Sequence, residues 1–187
     1  MKKAAASLVL LALLLTGCGG ENRELERGLA LRARVLQAST CDFSAGITAE
    51  YGDQAYEFSM DCQTDSKGSL TFRVTEPQTI SGITGTLSVE GGALTFGETA
   101  LAFPVLSQGL ASPVSGPWLF WRALTAGCIT SAGMDGEQLR LSMDDSYEDS
   151  ALQLDIWCNG DDVPVRVEVC QEGRRILTIV VSNFTIL

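Results

Sequence analysis

Histidine is absent from the 187 residues and cysteine occurs six times, and these two counts bound the chemistry open to the side chains. Without histidine a Ser-His-Asp arrangement is impossible, and the commonest general base and metal ligand is missing. No G-x-S-x-G elbow occurs either. The cysteines are Cys18, Cys41, Cys62, Cys128, Cys158 and Cys170, with no C-x-x-C spacing among them, so neither a zinc ribbon nor a dithiol redox centre is expected. Carboxylates remain as acid–base candidates. Asp144, Asp145, Glu148 and Asp149 surround Ser146-Tyr147, but the run lacks the alternation and central glycine of a calcium loop and reads as a solvated acidic turn. Asp161 and Asp162 belong to a hairpin turn, where acids are ordinary. The sequence thus offers no catalytic residue, metal site or cofactor, and the expectation is a protein that is not an enzyme.

The thiol with the most specific surroundings is Cys18. Lys2 and Lys3 form a positive n-region, the apolar run from Ala4 to Leu15 forms an h-region, and Gly17-Cys18 supplies a small residue at a cut point. The run is too short for a transmembrane helix, which needs about 20 apolar residues. Leu15-Thr16-Gly17-Cys18 resembles the lipobox of bacterial lipoproteins. That resemblance implies a signal peptide over residues 1–17, acylation of Cys18 by diacylglycerol and often by an amide-linked palmitate-like chain, and a lipid-anchored tether over residues 18–22. One acyl chain anchors a protein only marginally, whereas two or three anchor it stably. It also implies a location on the extracytoplasmic face of the cell membrane, with the membrane itself as first partner. A plain secretory signal with a cysteine beside its cut site is the alternative. Losing Lys2 and Lys3 with the signal takes the net charge from −10 to −12, which argues against nucleic acid and against attraction to anionic lipid.

The remaining residues, 23–187, suit one domain. Between 21 and 39, Leu25, Leu29, Ala33 and Leu36 recur at helical spacing among charged residues, which predicts an amphipathic helix with that stripe as its buried face. From Cys41 the period becomes two. Phe43 to Tyr51 and Tyr56 to Cys62 alternate about Gly52-Asp53, a β-hairpin that sets Phe43 opposite Cys62 and Cys41 one diagonal step away. A small register shift would bring these thiols into disulfide range, so Cys41 and Cys62 are the candidate pair; five cysteines beyond Cys18 leave at least one that stays free or pairs between chains. Strands follow through Leu70–Val74, Ile83–Val89, Leu94–Phe96 and Leu101–Phe103, then a Ser/Gly/Pro loop, then a helix from Pro117 that ends near Gly127. Five further strands run to Ile186, and Trp157 alternates outward on one of them, either at a partner surface or under a neighbouring element.

About eleven antiparallel strands must curl or split to bury their apolar faces. The lipobox, the first helix, the Phe43–Cys62 hairpin, Glu76-Pro77 to Ile80 and Gly82, the mid-chain helix and a closing Leu152–Val169 hairpin with Pro164 resemble the outer-membrane lipoprotein carrier and receptor (LolA/LolB-like) superfamily. The pattern is nearest to germination-type lipoproteins of Gram-positive bacteria. The resemblance implies a mainly β (α+β) fold, an unclosed antiparallel β-barrel with helices over its concave side. It also implies a cavity for acyl chains in the carriers and protein contacts in other members. For this chain two arrangements fit the aromatic residues: a filled core, or a groove beneath the mid-chain helix lined by Phe58, Met60, Phe72, Trp118 and Trp121. The expected role is non-catalytic binding of a partner protein, a second copy or a hydrophobic ligand; the alternative is a carrier or receptor for lipid or lipoprotein. Cys18→Ala is expected to release the protein from membranes or leave it uncut. Fractionation and acyl labelling measure this, and unchanged processing and labelling would rule lipidation out.

Overall fold

The computed structural model describes residues 21–187 apart from 53, 105, 108–109 and 147–151. The expected signal, Cys18 and Gly19-Gly20 lie outside the described residues, as do Glu148 and Asp149 of the acidic turn.

Helix α1 (Glu21–Gln37) leads into six strands: β1 (Thr40–Tyr51), β2 (Gln54–Asp65), β3 (Leu70–Glu76), β4 (Thr84–Ser88), β5 (Gly91–Phe96) and β6 (Thr99–Phe103). The Ser/Gly/Pro segment expected as a plain loop contains a small hairpin, β7 (Leu106–Ser107) and β8 (Leu110–Ala111), and a 3-10 turn over Pro113–Ser115. Helix α2 (Gly116–Ala126) follows, then β9 (Cys128–Asp135), β10 (Gln138–Asp144), β11 (Gln153–Cys158), β12 (Pro164–Gln171) and β13 (Arg174–Ile186).

Eleven strands form one antiparallel sheet in the order β6-β5-β4-β3-β2-β1-β13-β12-β11-β10-β9, open at β6 and β9. This is the unclosed β-barrel with two helices that the sequence pattern predicts. Each strand pairs with its sequence neighbour except at the centre, where β1 meets β13 from Cys41↔Ile186 to Ala49↔Leu177. Hairpin β1–β2 has the expected register, with Phe43 opposite Cys62 and Tyr51 opposite Gln54 across a turn in which Gly52 takes φ +62°.

Strand alternation sends one set of side chains to the concave side, where Ile47, Met60, Leu70, Leu141, Leu154 and Leu177 are fully buried. Helix α2 lies over the centre with Trp118, Leu119, Phe120, Trp121 and Leu124 all buried, and Phe120 meets Phe43 edge-on at 5.5 Å. Pro117 stands in its first turn and Gly127 closes it, as the residue types predict. Its start is fixed by the Trp118 indole, whose Nε1 donates to the Gly68 carbonyl at 3.1 Å.

Helix α1 covers β9 and β10, but not with the stripe expected from its spacing. Gly28, Leu31 and Val35 face inward, while Leu29 and Leu36 are 48% and 59% exposed. Gly28 decides the rotation. A Cβ there would stand 2.7 Å from Leu141 Cδ2, so any side chain at this position would have to displace the Leu141 methyls for the helix to settle on β10. Arginines secure both flanks. Arg27 pairs with Asp162 at 2.6 Å and Arg34 donates to the Asp162 carbonyl at 3.0 Å. Arg32 forks onto the C-terminal end of α2, donating to the carbonyls of Leu124 (2.8 Å), Ala123 (3.2 Å) and Gly127 (2.6 Å). A cation there meets the negative end of the helix dipole and adds donors to its last carbonyls, of which that of Ala123 also accepts from the Gly127 amide. Replacing Arg32 with Met is expected to cost about 2 kcal/mol in urea unfolding, and Arg32→Lys should recover less than half, because an ammonium lacks the planar fork.

Candidate functional site

The two helices cover the β9–β13 wing and the centre of the concave face and leave much of the β2–β5 wing open. There Phe58 of β2, Phe72 and Val74 of β3, and Leu94 of β5 point inward by strand alternation. Pro77, Ile80 and Ile83 of the β3–β4 connection form one rim, and Pro113 and Val114, just ahead of α2, form the other. These residues enclose an open groove of about 370 Å³, and Glu57 is its one charged neighbour among the described residues. Two aromatic rings on this wing lie over glycines. The Phe72 ring lies over Gly85, where a Cβ would come within 2.5 Å of Cζ, and the Phe103 ring lies over Gly92, where the distance is 2.4 Å. Each aromatic covers a cross-strand glycine, and Phe72 also lines the groove.

Of the residues expected around a groove beneath α2, the structure brings two to the cavity. Phe58 is half-buried and lines it, and Phe72 contributes to its wall. Met60, Trp118 and Trp121 are packed into the core, at 0%, 3% and 5% exposure, so the space beneath the helix is filled and the opening lies beside its N-terminal end. Sequence reading missed Ile83 and Val114 as lining. Ile83 stood among the strand residues, but Val114 sits in a loop and only the packing of the 3-10 turn puts it opposite β5.

The convex face holds a polar cluster in which Trp157 is the central residue. Trp157 is buried, not because another element covers it but because arginines on the adjacent strands fold over both sides. Arg140 lies 5.3 Å and Arg166 3.8 Å from its ring, and its Nε1 donates to Asp135 at 2.8 Å. Both Asp155 oxygens are engaged, one by Arg140 (2.7 Å) and one by Ser142 (2.6 Å). The hydrogen bond to Asp155 holds Arg140 above the usual arginine range. Both oxygens of this carboxylate are thus held by neighbouring side chains on the convex face.

Cys41 and Cys62 are both buried and unbridged. The β1–β2 register runs without the shift a bridge requires, so Cys41 stands opposite Thr64, and a diagonal cross-strand pair lies about 7–8 Å apart where a disulfide needs Cβ atoms within about 4.5 Å. Burial pushes the Cys41 and Cys158 thiols up to about 12, with Asp42 and Asp162 adding to it, and raises that of Cys62 too. None of the three lines the groove.

No family model and no curated protein matches the sequence. Solved structures do. A putative outer membrane lipoprotein-sorting protein domain from Vibrio parahaemolyticus superposes with a TM-score of 0.51 at 8% identity, over 88% of this chain and 92% of that one. The fold is LolA/LolB-like. A LolA superfamily protein from Nitrosomonas europaea (7% identity, 86% and 93% covered, TM-score 0.47) is also similar. So is a chain of the Clostridioides difficile CwlD amidase–GerS lipoprotein complex (10%, 88% and 96%, 0.42). Within the LolA/LolB-like frame, the open groove on the β2–β5 wing and the filled space under α2 are what this chain makes of the concave side.

The thiol assignment has a direct measurement. Unfolded without reductant, the protein should take one N-ethylmaleimide at each of Cys41, Cys62, Cys128, Cys158 and Cys170, whereas in the native protein at pH 8 the buried Cys41, Cys62 and Cys158 should stay unlabelled. Two missing increments in the unfolded protein would reveal a bridge. Because the native thiol values exceed the unfolded one, near 8.5, stability is full below that pH and declines as pH rises towards 12.

Proposed function

We propose that this chain is a membrane-anchored extracytoplasmic lipoprotein that binds rather than catalyses, and that the groove on the β2–β5 wing receives the chain of a hydrophobic ligand. The observation that carries this reading is the groove itself. It is an apolar trough of about 370 Å³, bordered by Phe58, Ile83, Leu94 and Val114, on the wing of the concave face that the helices leave open. Such a trough can remove methylenes from water but holds no cluster of charges to recognise a polar headgroup. The anchor rests on the lipobox at Cys18. The fold it shares with a putative lipoprotein-sorting domain is consistent with a lipidic ligand.

Anchoring narrows what such a site does. Between Cys18 and Glu21 the chain spans at most about 10 Å, so the domain stays beside the bilayer and would receive, hold or present a ligand there instead of ferrying it between membranes. Each buried methylene contributes about 0.8 kcal/mol, so across a series of saturated fatty acids Kd should fall about fourfold per added carbon until the groove is full. Leu94→Asp, which puts a carboxylate on the wall, should weaken binding of every chain at least about tenfold with the fold retained. Titration calorimetry on residues 21–187 reads both effects; affinity independent of chain length, or unchanged by Leu94→Asp, would sink the reading.

A further inference from the structure

Strand β6 forms one edge of the sheet, and among the described residues nothing pairs with its outer side. Edge strands of soluble proteins are ordinarily protected by a charge, a proline, a bulge or a covering element. The sequence of β6 is Thr99-Ala100-Leu101-Ala102-Phe103, which carries none of the first three. Leu101 is 61% exposed and Phe96, on the neighbouring strand, 58%. The surroundings are equally bare of charge. Charged residues make up 19% of the chain, yet the stretch from Pro77 to Trp121 contains only Glu90 and Glu98. Depletion of charge beside exposed apolar side chains marks the centre of a protein interface rather than a solvated surface.

We propose that β6 is a docking edge for a second copy of this chain, which adds its own β6 antiparallel and extends the sheet across a two-fold axis. The charge balance selects this occupant. Two copies, each at a net charge of −10, or −12 once the signal is removed, repel wherever their acidic faces meet, and the β6 edge is where they can meet without apposed charges. The strand is self-complementary. Antiparallel pairing centred on Leu101 sets Leu101 against its own counterpart, Ala100 against Ala102, and Thr99 against Phe103, so that Leu101 and Phe103 of both copies stay on the concave side. In that register Glu98 falls opposite Pro104, and the two Glu98 residues stand about 20 Å apart along the strands, beyond the screening length of about 8 Å at physiological salt. Pro104 lacks an N–H and ends the ladder after five residues. A ladder that short makes a weak dimer, favoured where copies are concentrated in the plane of a membrane.

The test uses the full-length protein purified in detergent, with sedimentation velocity for mass and hydrogen exchange for the β6 amides. The wild type should dimerise with rising concentration and protect the Thr99–Phe103 amides as it does so. Ala100→Lys/Ala102→Lys, at exposed positions, would place lysines opposite one another in the dimer and should give monomers whose β6 amides exchange at least about tenfold faster. Ala100→Glu/Ala102→Glu should also be monomeric, and mixing the Lys and Glu variants should restore the dimer and the protection, which a misfolded chain or a foreign partner would not do. A wild type that stays monomeric with fast β6 exchange at every concentration overturns the proposal, as does a dimer that survives in the Lys variant or a mixture that fails to pair. The groove's dependence on fatty-acid length is read separately, so failure of one inference leaves the other standing.

Discussion

The pairing of β1 with β13 is the contact on which the rest of the structure depends. It joins the two ends of the domain, from Cys41↔Ile186 to Ala49↔Leu177, and turns two meanders into one curved sheet. Without it β1–β6 and β9–β13 would be separate ribbons, each with an apolar face and nothing to cover it. The Leu187 amide and carbonyl continue the contact into Ser39 and Thr40 beyond the last ladder residues. Strands more than a hundred residues apart close a large loop before they gain any hydrogen bond, so this is the slowest kind of contact to form and the one that commits the chain to a single core.

Once the sheet is continuous, coverage is its limiting resource. Helices α1 and α2 together supply 28 residues against eleven strands. The sequence concentrates that coverage. Trp118, Phe120 and Trp121 fill the centre, Gly28 lets α1 press onto β10, and Arg32 locks the helices together by capping one with a side chain of the other. What is left over is the β2–β6 wing, where glycines replace side chains beneath Phe72 and Phe103 and a small hairpin with a 3-10 turn forms a partial rim. The groove has one cause, a concave face larger than the helices laid over it.

On the convex side, charge and aromatic area are combined differently. Arg140, Trp157 and Arg166 occupy adjacent register positions on β10, β11 and β12, and the stack they form hides a tryptophan that alternation alone places in water. Here polar side chains cover an apolar one with their aliphatic and guanidinium surfaces. Arg175 bridges Glu50 and Glu168 in the same manner across neighbouring strands, but in the open, where such pairs contribute little.

The sequence by itself determined the eleven strands of the sheet and the hairpins that join neighbours, because alternation, turn glycines and prolines act within a few residues of one another; the pairing of β1 with β13 and the small β7–β8 hairpin came only with the tertiary structure. The register of Phe43 against Cys62 was legible for that reason, as were the limits of α2 at Pro117 and Gly127. The face of α1 was not. Leu25, Leu29, Ala33 and Leu36 form as good a stripe as Gly28, Leu31 and Val35, and only the presence of Leu141 under the helix makes a glycine worth more there than a leucine. Nor was the place of the groove. Trp118 and Trp121 are large enough to line a cavity or to fill one, and the choice fell to the distance between α2 and the sheet, a property of the assembled layers. Short-range sterics wrote the elements into the sequence; the room left between them was decided by tertiary packing, where residues distant in the chain compete for the same volume.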